Sequence, residues 1–220
     1  MSEWWTYTLS DIQSFSLHSY YRLFELYNRA IWPAQLVALA LAIAILLLLR
    51  RAEPRRARLI TAILALCWLW TAIAFHAHRY ATLTWSARYF AWGFGVEAAL
   101  LLWTALRGRL VFERRPAGWT IFLFALVVPP LIGPLLGRTW RQVEVFGVAP
   151  DPTAVATLGI LLLAAGRVRW ELMAVPLLWC AVSGATLLSM HAPDAGIPIA
   201  AAVLGLSVAG SRALARRRRT

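Results

Sequence analysis

Glu97 is the residue whose position most directly suggests chemistry. It lies ten residues into an apolar run, Ala87–Leu106, near the expected bilayer midplane. A carboxylate at that depth costs roughly 3 kcal/mol on insertion scales and more in simulations, so it must face the bundle interior. Gly93, Glu97, Leu100 and Thr104 share one helical face. Trp68 and Thr71 stand at matching depth on the preceding antiparallel run, with donors that could reach the acid. The chemistry implied is a proton or cation site. The plainer alternative is a glutamic acid that glues neighbouring helices together.

The histidines offer a second chemistry. His18, His76, His78 and His191 all fall on one side of the expected membrane, with Asp11, Glu25, Glu144, Asp151 and Asp194. Imidazole with carboxylate suits zinc, copper, iron or nickel, so a metal ion at the outer face is the cofactor this set would take. His76, His78, His18, His191 and Asp151 are the candidate ligands. His76 and His78 are two residues apart and would not share a helix face, so both could reach one ion only if the helix ends there. Histidines bonded to headgroups or loop carbonyls are the alternative.

Pro129, Pro130 and Pro134 stand with Gly133 and Gly137 in a third region, followed by Phe146-Gly147-Val148-Ala149-Pro150-Asp151-Pro152-Thr153. Proline removes a backbone donor and crowds the preceding turn, so the helix there should bend or break. A broken helix beside a short one is a sequence pointer to a transport site. Thr153 would cap the short helix. Against these, the chain holds no HExxH, no G-x-S-x-G and no glycine-rich phosphate loop, and Ser183 and Ser189 lie in the sixth segment with no obvious histidine partner inside the membrane. The enzyme reading is the weaker one.

The elements that must position these groups are set by composition. The chain has 220 residues, 60% of them apolar against about 45–50% in soluble domains. Mean hydropathy is +0.64, and charged residues are only 15%. A soluble globule of this size could not hide that surface, so the chain reads as an integral membrane protein. The fold class is all-α, a polytopic helix bundle. Seven crossings are expected: 31–49, 59–75, 87–106, 119–136, 153–166, 170–190 and 197–214. The fifth, at 14 residues, is short, about 21 Å of helix. Residues 1–30 form an outer amphipathic segment, and 215–220 a cytoplasmic basic tail.

All 22 basic residues are arginine, which excludes Schiff-base lysine chemistry. Sixteen fall in 50–58, 107–115, 167–169 and 212–219, and six elsewhere. That bias places the amino terminus outside and the carboxyl terminus inside. It also accounts for the net charge of +12 without nucleic acid as a partner. The expected partner is the lipid bilayer, with other membrane proteins or a second copy as further ones. Cys67 and Cys180 both lie in apolar runs and give no disulfide framework. No cleavable signal peptide is expected, since Glu3, Asp11 and Glu25 interrupt the first 30 residues. Ser10-Asp11-Ile12-Gln13 matches a capping box, and Tyr20, Leu23, Phe24 and Tyr27 recur at helical spacing after it. Trp4, Trp5 and Trp32 suit an interfacial belt.

Trp5-Thr6-Tyr7, Asp11, Phe15-Ser16, Tyr21-Arg22-Leu23-Phe24-Glu25-Leu26-Tyr27-Asn28 and Trp32-Pro33-Ala34-Gln35 resemble the opening of an uncharacterised, domain-of-unknown-function family of small multi-pass bacterial inner-membrane proteins. Phe146–Thr153 resembles a second motif of that family. Members often carry cysteine where this chain has Asp151, which argues against a thiolate metal site here. The resemblance implies a membrane location and no particular activity. Three functions are open: a small transporter or permease-like protein with its site between segments four and five, Glu97 and the histidines; an outer-face metal- or redox-cofactor-binding protein; or an assembly factor presenting small-residue faces such as Gly205 and Gly210 to lipid.

Overall fold

A computed structural model describes residues 15–108 and 110–218. The capping box at Ser10–Gln13, Asp11, Trp4 and Trp5 lie outside the described residues. Among the described residues the fold is all-helical, and the one extended pairing is an isolated bridge between Phe112 and Ala164. Eight α-helices follow in order: α1 Leu17–Ala30, α2 Ala34–Leu48, α3 Pro54–Trp70, α4 Ala87–Arg107, α5 Pro116–Leu135, α6 Pro150–Leu162, α7 Trp170–Ser189 and α8 Gly196–Arg217. A π-helical turn, Thr71–Ala77, and a 3-10 turn, Tyr80–Thr82, extend α3 to make one 29-residue stretch.

Five of these stretches are long and apolar enough to cross a membrane: Pro54–Thr82, α4, α5, α7 and α8. Five of the seven expected crossings are thus matched by helices of membrane length, and a sixth is matched if the bent pair α1 and α2 forms one span. The 31–49 segment yields a helix of 15 residues and the 153–166 segment one of 13, neither long enough alone. Helices α1 and α2 qualify only as a pair, bent by 88°. The apolar side chains of the long helices face outward, among them Leu66, Leu102, Leu123, Leu178 and Leu204. Trp32, Trp85 and Trp140 are exposed toward one end, and Trp103 and Trp170 toward the other, as interfacial girdles would be.

Helix α1 begins at Ser16, whose hydroxyl accepts from the Ser19 amide, and its buried face is the expected Tyr20, Leu23, Phe24 and Tyr27. That face packs on the bundle: Phe24 stacks on Phe75 at 5.1 Å, and Tyr20 meets Tyr80 edge-on at 6.2 Å.

Helix α6 is the centre of the molecule. Every one of its residues is buried, against α3, α5, α7 and α8. Small residues make this position accessible. A Cβ at Gly159 would stand 2.6 Å from the Phe122 amide nitrogen, and one at Gly118 would stand 2.8 Å from the Gly159 carbonyl oxygen. The α5 and α6 backbones thus touch where glycine allows it.

Both ends of α6 are finished by other elements. The 143–149 loop leading into it is almost entirely buried, with Gly147 beside Cys67 and Ala38. Its polar backbone is satisfied inside the protein, as a low-dielectric setting demands. Asn28 donates to the Arg141 and Val143 carbonyls, Tyr27 to the Val148 carbonyl at 2.7 Å, and the Gly147 amide to Thr153 Oγ1. At the far end Arg212 donates to the Leu162 and Ala164 carbonyls, closing the helix terminus. Contacts of Gly108 with Arg58, Phe112 with Ala164, and Gly166 with Arg216 gather four arginine-bearing segments at that end.

Candidate functional site

At the arginine-poor end, one guanidinium meets three carboxyl groups in the interior. Arg138 is positioned by the way α5 stops. The helix ends at Leu136, Gly137 adopts a left-handed conformation (φ +84°), and the Arg138 amide donates back to the Gly133 carbonyl at 2.9 Å. The Arg138 side chain is thereby turned inward and is 4% exposed. Its Nη1 donates to Asp194 Oδ2 at 2.9 Å, from the short α7–α8 connection. Its Nη2 donates to the Gln142 carbonyl and reaches Glu144 Oε1 at 3.4 Å. The Tyr21 ring covers the guanidinium at 4.4 Å.

Asp151 is the third acid, held from the other side. Trp179 Nε1 donates to its Oδ1 at 2.7 Å and Ser183 Oγ to its Oδ2 at 2.6 Å, both from α7. A small cavity of about 20 Å³, room for a single water, joins the two halves of this arrangement. Its walls include Pro129, Arg138, Glu144, Asp151, Asp194 and Pro198. Glu144 Oε2 and Asp194 Oδ1 are buried with no hydrogen-bond partner. Burial, reinforced by the charge of Asp151 and opposed by Arg138, pushes the Glu144 carboxyl well above the usual carboxylate range.

The residues expected from sequence are distributed differently. Pro129 and Asp151 meet at this cavity. Pro130 and Pro134 do not break α5, which runs unbroken through all three prolines to Leu135. The expected break is displaced to Gly137, where positive φ carries no Cβ penalty. Thr153 is not the cap of α6. Ala149 holds that position, and Thr153 donates instead to the Ala149 carbonyl while accepting from Gly147, so it fastens the buried loop.

Glu97 is fully buried on α4 with neither carboxyl oxygen partnered. The donors expected for it are committed elsewhere. Trp68 donates to Thr157 at 2.8 Å, and Thr71 to carbonyls of its own helix. His76 is also fully buried, both ring nitrogens without a partner, within 4.8 Å of the Trp179 ring and 4.3 Å of Phe94. His78 closes the π turn, exposed and bonded to the Ile73 carbonyl. The helix does end there, as joint ligation would require, but the two rings part company. His18 and His191 are exposed. Among the described residues no three His, Cys, Asp or Glu side chains stand together as a metal site needs.

Residues 17–220 match the family described as a family of unknown function, DUF6064. The chain belongs to that family. No curated protein and no solved structure matches it. The matched DUF6064 range takes in Tyr21–Asn28, Trp32–Gln35 and Phe146–Thr153, whose structural work is now visible: Tyr27, Asn28 and Thr153 all brace the loop that carries Glu144. Within this DUF6064 chain the residues that sequence reasoning missed are Arg138, Trp179 and the pairing of Arg138 with both Glu144 and Asp194. One signal was present. Arg138 lies on the arginine-poor side, directly after a glycine that stops a helix.

Proposed function

We propose that this protein is a small multi-pass transporter or permease-like protein of a bacterial inner membrane, in which the Arg138 cluster takes up and releases protons. The carrying observation is the mismatch of one guanidinium for three carboxyl groups, with Glu144 Oε2 and Asp194 Oδ1 left unpartnered in the interior. Taking an unpaired charge out of water costs several kcal/mol even after relaxation. A bound proton removes that cost, whereas the spacing of the acids does not suit a metal ion. A cavity of about 20 Å³ accommodates water and no organic cargo in this conformation. A larger substrate would have to enter by separation of α5, α6 and α8 around the same acids.

The sixteen-to-six arginine bias supports placing the amino terminus and this cluster outside and the arginine-rich end in the cytoplasm. The central α6 supports the site directly, and short α2 supports it through Ala38 beside Gly147. Proton flux into vesicles loaded with a pH-sensitive dye tests the reading. Wild-type protein should carry flux that Glu144→Gln and Arg138→Gln abolish. Equal flux in wild type and Glu144→Gln would refute it.

A further inference from the structure

The opposite end of the bundle holds a second charged concavity, independent of the Arg138 cluster. A pocket of about 620 Å³ opens between the 163–169 turn and the last turns of α8. Arg115, Arg167, Arg212, Arg216 and Arg217 line it, and Trp170, 42% exposed, stands at its rim. The acids nearby answer only part of this charge: Glu113 pairs with Arg115 at 2.5 Å, and Glu171 is shared by Arg167 and Arg169. Arg216 has no carboxylate partner among the described residues. Arg115 Nε is buried without a partner. Arg212 is held in place by the two carbonyls at the end of α6, so the pocket floor is fixed by the bundle itself.

We propose that this pocket binds a phosphate group. Guanidinium forks match the paired oxygens of phosphate, and converging arginines gain most from an anion that bridges several of them. The pocket lies where α7 begins and α8 ends, both membrane-length helices, beside an exposed tryptophan. Basic pockets between such helices hold the phosphates of anionic lipids. A soluble phosphate would present the same oxygens.

The test uses the full chain in mild detergent, with phosphatidylglycerol, phosphatidylcholine and inorganic phosphate added separately. Melting temperature and native mass spectrometry report binding. The double variant Arg167→Gln/Arg216→Gln removes two pocket charges without touching Arg212. Arg50→Gln/Arg55→Gln removes two exposed charges at the same end as a control. Loss of two charge-assisted contacts should weaken phosphatidylglycerol binding by about tenfold or more in the pocket variant, and leave the control unchanged. Binding of inorganic phosphate with equal sensitivity to the pocket variant, and none of phosphatidylglycerol, would support the site with a soluble ligand. No binding of either, or equal weakening in both double variants, would overturn it.

Discussion

Arg138 and Asp194 are joined at 2.9 Å across 56 residues of sequence, tying the connection after α5 to the connection before α8. The pair sits over the amino terminus of a helix whose every residue is buried. What holds the three central helices in register at this end is therefore also what places unbalanced charge inside the protein.

Removing the cation should expose that imbalance. Arg138→Gln leaves Glu144 and Asp194 buried without their common partner, and a broken buried ion pair costs about 3–5 kcal/mol. A large drop in melting temperature is expected. Adding Glu144→Gln and Asp194→Asn to Arg138→Gln should restore most of it, as read by thermal unfolding in detergent.

Stability should also depend on pH through Glu144. Burial first, then the charge of Asp151, moves this carboxyl from 4.5 up to about 8. The folded state binds the proton more tightly than the unfolded chain, so the stabilisation is complete below the unfolded value and is lost as pH rises through the folded one. The melting temperature should fall between about pH 4.5 and 8, and Glu144→Gln should flatten that slope.

Gly159 tests the central crossing. Gly159→Ala sets a methyl 2.6 Å from the backbone nitrogen of Phe122, which cannot swing aside. Overpacking of this kind costs about 1–3 kcal/mol. Gly93→Ala, with open space around its Cβ position, should be tolerated. Comparable melting of the two variants would contradict the close α5–α6 contact.

Glu97 separates stability from function. Its two unpartnered oxygens sit in a fully buried setting, so an apolar residue of similar size relieves an unsatisfied polar burial. Glu97→Leu should melt at or above the wild-type temperature. If flux is then lost, the acid serves transport. If flux survives, Glu97 has no part in it.

Much of the fold was legible because lipid demands long apolar runs and penalises misplaced charge. The α4, α5, α7 and α8 helices lie close to their expected bounds, and the aromatic face of α1 follows helical spacing in Tyr20, Leu23, Phe24 and Tyr27. The short helices were harder. Hydropathy cannot tell α6, enclosed by protein on every side, from a segment facing lipid. The site was legible only in its parts. Asp151 and Pro129 were marked by their local motifs, but nothing in a single sequence reports that Arg138 would cross 56 residues to Asp194, or that Trp68 would spend its donor on Thr157 rather than on Glu97.

The most direct test is infrared difference spectroscopy of the purified protein as pH is raised, following the carbonyl stretch of protonated carboxyl groups. A buried, protonated carboxyl band should be lost as pH rises above the usual carboxylate range, and its amplitude should be reduced in Glu144→Gln. An identical carboxyl titration in wild type and Glu144→Gln would show that the Arg138 cluster exchanges no proton there.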